Sequence, residues 1–263
     1  MTILPGAARR AEHSAAALAQ SGLGLASISY DSPAVLARFA HAHEITFALL
    51  SDKDSSVIRR YGILNTNIPR THKFYGIPFP GEYLVAPDGR VVDKVFLPSF
   101  EDRATASEVL LKDFGISSGS DAVEIKSDET RARIQLSDSS AFPGQELAVA
   151  ADFAIKPGWH VYGQPLPKGY MPTALSFDDA MVVQQSFNFP KPTPIKFVVL
   201  GETLPVYTGD FKAIGNVLLR EKLKAGEHKL TGELKFQECN DQICKLPQTV
   251  RFEIPLTIQP INE

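Results

Sequence analysis

The pattern that most limits how this chain can fold changes once, near residue 116. Before that point strand-like and helix-like stretches alternate; beyond it the helical period is gone and short strand signals follow one another. Residues 8–21 are alanine-rich and favour a helix, with Gly22 placed as its stop. Residues 23–30 form a continuous, mostly apolar run of the kind found in strands buried on both faces. Asp31 or Ser32 caps a second helix, which has Pro33 in its first turn and Val35, Leu36 and Phe39 on one side. Residues 47–50 read as a short strand, and Ser51-Asp52 leads into a helix holding Val57 and Ile58. A strand at 82–86, a turn at 87–89, a strand at 90–96 and a closing helix over 104–114 complete this half. Such alternation predicts an α/β layer structure with a partly parallel sheet.

Residues 116–121, rich in Ser and Gly, read as a linker. Strand candidates then follow at 131–136, 146–153, 159–162, 196–200 and 213–220, with turn signals at 142–144, 156–158 and 224–226. Short strands with regular turns and no helix predict a β-sandwich. The expected domains are 1–115 and 122–263. A net charge of −3 with no basic stripe argues against a nucleic-acid partner. No apolar run approaches the roughly 20 residues that span a bilayer. The first ten residues lack the cationic and apolar regions of an export signal.

The chain has two cysteines, Cys239 and Cys244, close together in the segment 236–247. The flanking segments 232–236 and 249–254 alternate apolar and polar residues and read as a hairpin, with Asn240 and Asp241 as turn formers. Cysteines facing each other across such a hairpin come within bonding distance. A bridge around a loop of roughly six residues removes little chain entropy, about 2 kcal/mol, whereas a staple joins distant segments. The pair is better placed to exchange electrons than to restrain the fold; a small structural bridge and two unrelated thiols are the other readings.

Both halves resemble known families. The segments 22–31, 47–52, Tyr61-Gly62 and 80–89, in that order, are similar to thioredoxin-fold redoxins of the AhpC/TSA type. That family begins with a strand and a catalytic cysteine ahead of the segment matching 11–21, and neither is seen here. The resemblance therefore implies an incomplete α/β thioredoxin-like domain, and its peroxidase role is carried by no residue of this chain. Pro80, with Pro78 as rival, matches the position of the family's cis-proline. The expectation is that the real start lies upstream, with an export signal, the first strand and a cysteine.

The second half, over 122–258, resembles the N-terminal periplasmic domain of the DsbD disulfide reductases, an immunoglobulin-like sandwich. The resemblance rests on 156–162, Pro172-Thr173, 204–209 and above all 236–247. It implies an all-β sandwich whose paired cysteines, Cys239 and Cys244 by position, take electrons from a membrane thiol and pass them to thioredoxin-like partners in the periplasm. It also aligns the family's protective loop with Val206 and Tyr207, where Val206 replaces an aromatic cap. Tyr162 and Tyr207 are candidates to line the site, with a buried strand tyrosine as the alternative. The functional expectation is thus a thiol–disulfide relay of the cell envelope, partnered by thioredoxin-like proteins or a membrane thiol–disulfide reductase. The alternative is a non-catalytic binding or scaffold protein with a degenerate redoxin half and a structural disulfide.

Glu238 and Asp241 beside the cysteines raise a thiol pKa and Lys245 lowers it, so neither sulfur is clearly activated. That suits a disulfide attacked by a partner's low-pKa thiol. Trp159 reads as core, and His160 as a structural or surface strand residue. His41 and His43, two apart on a helix, face different ways. No metal cluster, cofactor motif or phosphate-binding loop stands out.

Overall fold

A computed structural model describes residues 5–79, 81–95, 111–112, 115, 117, 121–197 and 201–260 of the 263. The chain divides into two compact units, Met1–Val109 and Leu110–Glu263.

In the first unit, helix α1 spans Pro5–Gln20. Gly22, at φ 78°, ends it. The amides of Gly22 and Leu23 return to the carbonyls of Ala19 and Leu18 at 3.0 and 2.9 Å, the paired bonds of a Schellman stop. Strand β1, Ala26–Ser29, runs parallel to β2, Ala48–Ser51, across helix α2, Pro33–His43. Ser32 is the N-cap of α2, and its proline opens the first turn. Phe39 of α2 packs with Ala8 and Ile45. Helix α3, Ser56–Arg60, is capped from Asp52, whose carboxylate accepts the amides of Val57 and Ile58 at 3.1 and 2.8 Å. Strands β3, Glu82–Val85, and β4, Val91–Val95, form the expected hairpin.

One expectation is corrected here. The run 23–30 is not a strand buried on both faces: Ser29 is buried, while Ile28 is 37% exposed. Among the described residues β1 pairs only with β2, and Ile28 and its register partner Leu50, 37% and 49% exposed, are a partly exposed apolar pair. The closing helix over 104–114 falls outside the described residues except at 111–112, and Pro80 lies outside them too. Among the described residues the cis peptide is Gln164–Pro165, so the Ile77–Pro78 bond is trans.

The second unit is an immunoglobulin-like sandwich. Its strands are β5 Val123–Lys126, β6 Thr130–Leu136, β7 Ser140–Ala141, β8 Glu146–Ile155, β9 His160–Tyr162, β10 Ala174–Phe177, β11 Val182–Asn188, β12 Thr193–Phe197, β13 Glu202–Tyr207, β14 Asp210–Leu219, β15 Gly226–Phe236, β16 Glu238–Cys239 and β17 Gln248–Ile258. One sheet has the order β11-β14-β8-β6-β5 and the facing one β10-β15-β17-β7. Inward-pointing residues of both, such as Ile134, Leu147 and Val217 against Leu234, Ile254 and Phe252, make the main core. Strand β8 is buried on its outer face as well, because Leu111 packs there with Ala148 and Ala150. A third sheet, β12-β13-β9-β16, has its own small core and carries Cys239.

Candidate functional site

The site grows from a detour in a hairpin. Strands β15 and β17 pair without a break in register from Gly226↔Ile258 to Phe236↔Gln248. Beyond Phe236 the chain leaves that ladder, and β16 pairs with β9, setting Glu238 opposite Val161 and Cys239 opposite His160. Asn240 then turns the chain back. Its side-chain oxygen accepts the amides of Gln242 and Ile243, each at 2.8 Å, while its own amide donates to the Ile243 carbonyl at 2.9 Å. Cys239 and Cys244 thereby face each other as an antiparallel bridge, Cα to Cα 4.1 Å, and their sulfurs are bonded.

The two sulfurs live in different surroundings. Cys239 is fully buried with Tyr162, Phe197, Leu204 and Val206. Val206 is 1% exposed and belongs to the same small core as Cys239. Cys244 is exposed, between Ile243 at 56% and Leu246 at 85% exposure. Of the two cysteines, Cys244 is therefore the one that solvent reaches.

Of the sequence candidates, Tyr162 reaches the pair and Tyr207 does not. The Tyr162 hydroxyl stands 3.3 Å from Cys244 Sγ. A disulfide sulfur has no proton to give, so the phenol donates. Burial, with smaller contributions from Tyr170 and Glu202, pushes Tyr162 up to about 12, which keeps this donor protonated at neutral pH. Tyr207 turns to the main core, stacked 4.5 Å from Phe211, and its hydroxyl donates to the Pro190 carbonyl at 3.0 Å. Alternation explains the split: neighbours Val206 and Tyr207 on β13 point to opposite faces.

Charge near the pair is organised by residues distant in sequence. The Lys245 ammonium lies 3.1 Å from both Asp128 and Glu129, 3.3 Å from Glu238, and 4.8 Å above the Trp159 ring. Glu238, fully buried, also takes hydrogen bonds from the Ser127 hydroxyl and the Glu129 amide. Burial opposes the charge on Lys245, yet the three carboxylates hold it above the ordinary ammonium range. Glu238 thus points away from Cys239, neutralised by Lys245. Trp159 is half-buried against the main core.

His160 is 4% exposed, and its Nε2 has no hydrogen-bond partner among the described residues. It lines a cavity of about 200 Å³ with Lys156, Trp159, Phe197, Thr208 and Asp241. The sequence reads His160 as a structural or surface strand residue, and the structure buries it; the Ser127–Glu129 loop is not singled out by the sequence. No local pattern carries this arrangement, since the β9–β16 register and, for the loop, contacts across more than a hundred residues bring the groups together. Among the described residues no cluster of His, Cys, Asp and Glu is placed to hold a metal, and no helix is long and apolar enough to cross a membrane.

Comparison with known proteins adds the family. Residues 6–94 match the AhpC/TSA family, and residues 132–256 match "Thiol:disulfide interchange protein DsbD, N-terminal". No curated protein matches the chain. Among solved structures, the N-terminal periplasmic domain of ScsB from Proteus mirabilis is similar at 14% identity and a TM-score of 0.39, over 51% of this chain and 50% of that one. The reduced DsbD N-terminal domain of Neisseria meningitidis is similar at 20% identity and 0.27, over 45% of this chain and 85% of that one. The chain thus spans half the length of the ScsB domain. Overlaps of this extent add nothing to the family matches. By those matches, the chain joins an AhpC/TSA-family segment, residues 6–94, to a segment of the DsbD N-terminal family, residues 132–256.

Proposed function

We propose that the protein is a thiol–disulfide relay of the cell envelope, working in the periplasm and passing electrons between thioredoxin-like partners, or from a membrane thiol–disulfide reductase, through Cys239 and Cys244. The observation that supports this most is the asymmetry of the disulfide, with Cys244 exposed and Cys239 sealed. Thiol–disulfide exchange needs the incoming thiolate to approach one sulfur in line with the bond it breaks. From solvent that sulfur is Cys244. The partner thiolate attacks Cys244 Sγ, a partner–Cys244 bond forms, the Cys239–Cys244 bond breaks, and the electron pair departs on Cys239 Sγ. A second partner thiolate, or the other thiol of the same partner, then attacks the partner sulfur and leaves the dithiol form. Tyr162 donates to Cys244 Sγ and favours its thiolate whenever that sulfur is released. Ile243 and Leu246 offer apolar contact to a partner's surface around its own cysteine.

Trapping tests the proposal. The Cys239→Ser protein should hold a stable mixed disulfide with a reduced-then-activated thioredoxin-like protein, and Cys244→Ser should form it roughly a hundredfold more slowly, because its thiol is buried. Exchange no faster than in the Cys239→Ser/Cys244→Ser double variant ends the relay. A reduction potential below about −300 mV identifies a structural disulfide instead.

A further inference from the structure

We propose that His160 is the proton acceptor of the cysteine pair, taking the thiol proton of Cys239 when that thiol resolves a mixed disulfide held on Cys244. The proposal rests on the relay described above and adds the group that makes its buried half work.

Cys239 has a problem that Cys244 does not. Its sulfur is sealed among Tyr162, Phe197, Leu204 and Val206, where a thiolate is poorly solvated and bulk water cannot collect a proton. A base must therefore be built in. His160 is the register partner of Cys239 across β9 and β16, and directly opposed residues of an antiparallel pair share a face. Its ring lies 4.8 Å from that of Phe197 and 5.5 Å from that of Tyr162, both members of the cluster around Cys239. Its Nε2 is buried and without a hydrogen bond, an uncommon state for a polar atom in an interior and one that leaves a lone pair or a proton uncommitted. Behind it, the cavity bordered by Lys156, Thr208 and Asp241 gives the ring a route to solvent.

The charged and titratable groups around His160 fit a base. Asp241 faces it from the cysteine loop, and Tyr162, from its own strand, is a neutral phenol. Lys156 on the cavity wall is paired with Glu129 at 3.3 Å, and Glu238 is turned to the opposite face and held by Lys245. Burial lowers the His160 pKa, with Asp241 pulling the other way, so the ring is neutral at pH 7 and ready to accept.

The step balances as follows. In the mixed disulfide, Cys244 Sγ is bonded to the partner sulfur and Cys239 is a thiol. The Cys239 proton passes to the imidazole, and the thiolate left behind attacks Cys244 Sγ. The Cys239–Cys244 bond forms, the bond to the partner breaks, and the partner sulfur leaves as a thiolate with the electron pair. The protein dithiol is oxidised, the partner disulfide that entered is reduced, and the imidazolium releases its proton through the cavity.

The test needs no physiological partner. The reduced protein is mixed with dithiobis(nitrobenzoate) in a stopped-flow instrument. The first coloured thiolate reports attack by Cys244, and the second reports resolution by Cys239. In His160→Gln, at neutral pH, the second release should slow by about 10- to 100-fold, while the first changes less than about twofold. In the native protein the second release should rise with pH through the histidine range and level off near neutrality; in His160→Gln it should rise through the thiol range near about 8.5 instead. A native rate and native pH profile in His160→Gln overturn the proposal. Should that variant fail to fold, the native profile decides alone, since a second release that tracks only the thiol range also overturns it. Normal releases in a protein that takes no electrons from thioredoxin-like proteins would sink the relay while leaving His160 its role. Exchange with such proteins that is indifferent to His160 would do the reverse.

Discussion

Replacing Tyr162 with Phe removes one atom from the site and leaves the packing as it is. The ring is fully buried, edge-on to Tyr170 at 5.1 Å and to His160 at 5.5 Å, and Phe keeps those contacts. What is lost is the donor 3.3 Å from Cys244 Sγ. To a neutral sulfur that donor is worth little, whereas hydrogen bonds to charged groups contribute about 1.5–3 kcal/mol. Cys244 is solvated on its outer side, so the lower end applies: about 1.5 kcal/mol of preference for thiolate over thiol, or about one pKa unit. Tyr162→Phe should therefore raise the Cys244 pKa by about one unit. At pH 7 the thiolate fraction falls nearly tenfold. The more basic thiolate is intrinsically faster, with a Brønsted coefficient of about 0.4–0.5, so the net loss of rate is about threefold. Alkylation by iodoacetamide across pH, in a Cys239→Ser background where one thiol reacts, measures both quantities. An apparent pKa within about 0.3 units of the parent would refute the role given to the phenol.

Three further outcomes are expected. Gly163→Ala should destabilise the protein by about 1–3 kcal/mol in urea unfolding, because a Cβ there would sit 2.5 Å from Pro192 Cβ and 3.2 Å from the Tyr207 ring. Leu246→Asp should keep stability within about 0.5 kcal/mol, yet slow exchange with thioredoxin-like proteins without slowing reaction with small disulfides. Stability should decline as pH falls below about 6.5 and decline less in His160→Gln. The sign follows from burial: the folded ring has the lower pKa, so below the unfolded value the unfolded chain binds the extra proton. Denaturant midpoints between pH 5 and 8 give the comparison.

What the sequence reveals of this protein is what neighbouring residues decide among themselves. The Gly22 stop, the Ser32–Pro33 helix start and the Asn240 turn are all set by short-range chemistry, and all are present. So is the hairpin around the cysteines, since β15 and β17 alternate clearly along their lengths. Strand β11 escapes notice because it is exposed along most of its length, and Gln184, Gln185 and Ser186 carry no alternation. β12 begins at Thr193, ahead of the apolar run 196–200, because its pairing with β13 starts at Thr193↔Val206. In the site, both cysteines are legible from spacing, but their unequal exposure is not. It depends on β9 and β13, brought alongside by register, and the same holds for the contact of Tyr162 with Cys244.

The register of β15 and β17 has one more consequence. The ladder closes at Phe236↔Gln248, so residues 237–247 lie outside it and are tied instead to β9 and to the 128–129 turn. Opening the disulfide should leave that ladder paired. On the proposed relay, both redox forms share that hairpin, and a partner tells them apart at residues 237–247. Amide exchange should register that insulation as protection that differs in 237–247 and is the same throughout β15 and β17. A loop of another length or potential spliced between Phe236 and Gln248 would leave the β15–β17 ladder paired and would have to replace only the pairing of β16 with β9.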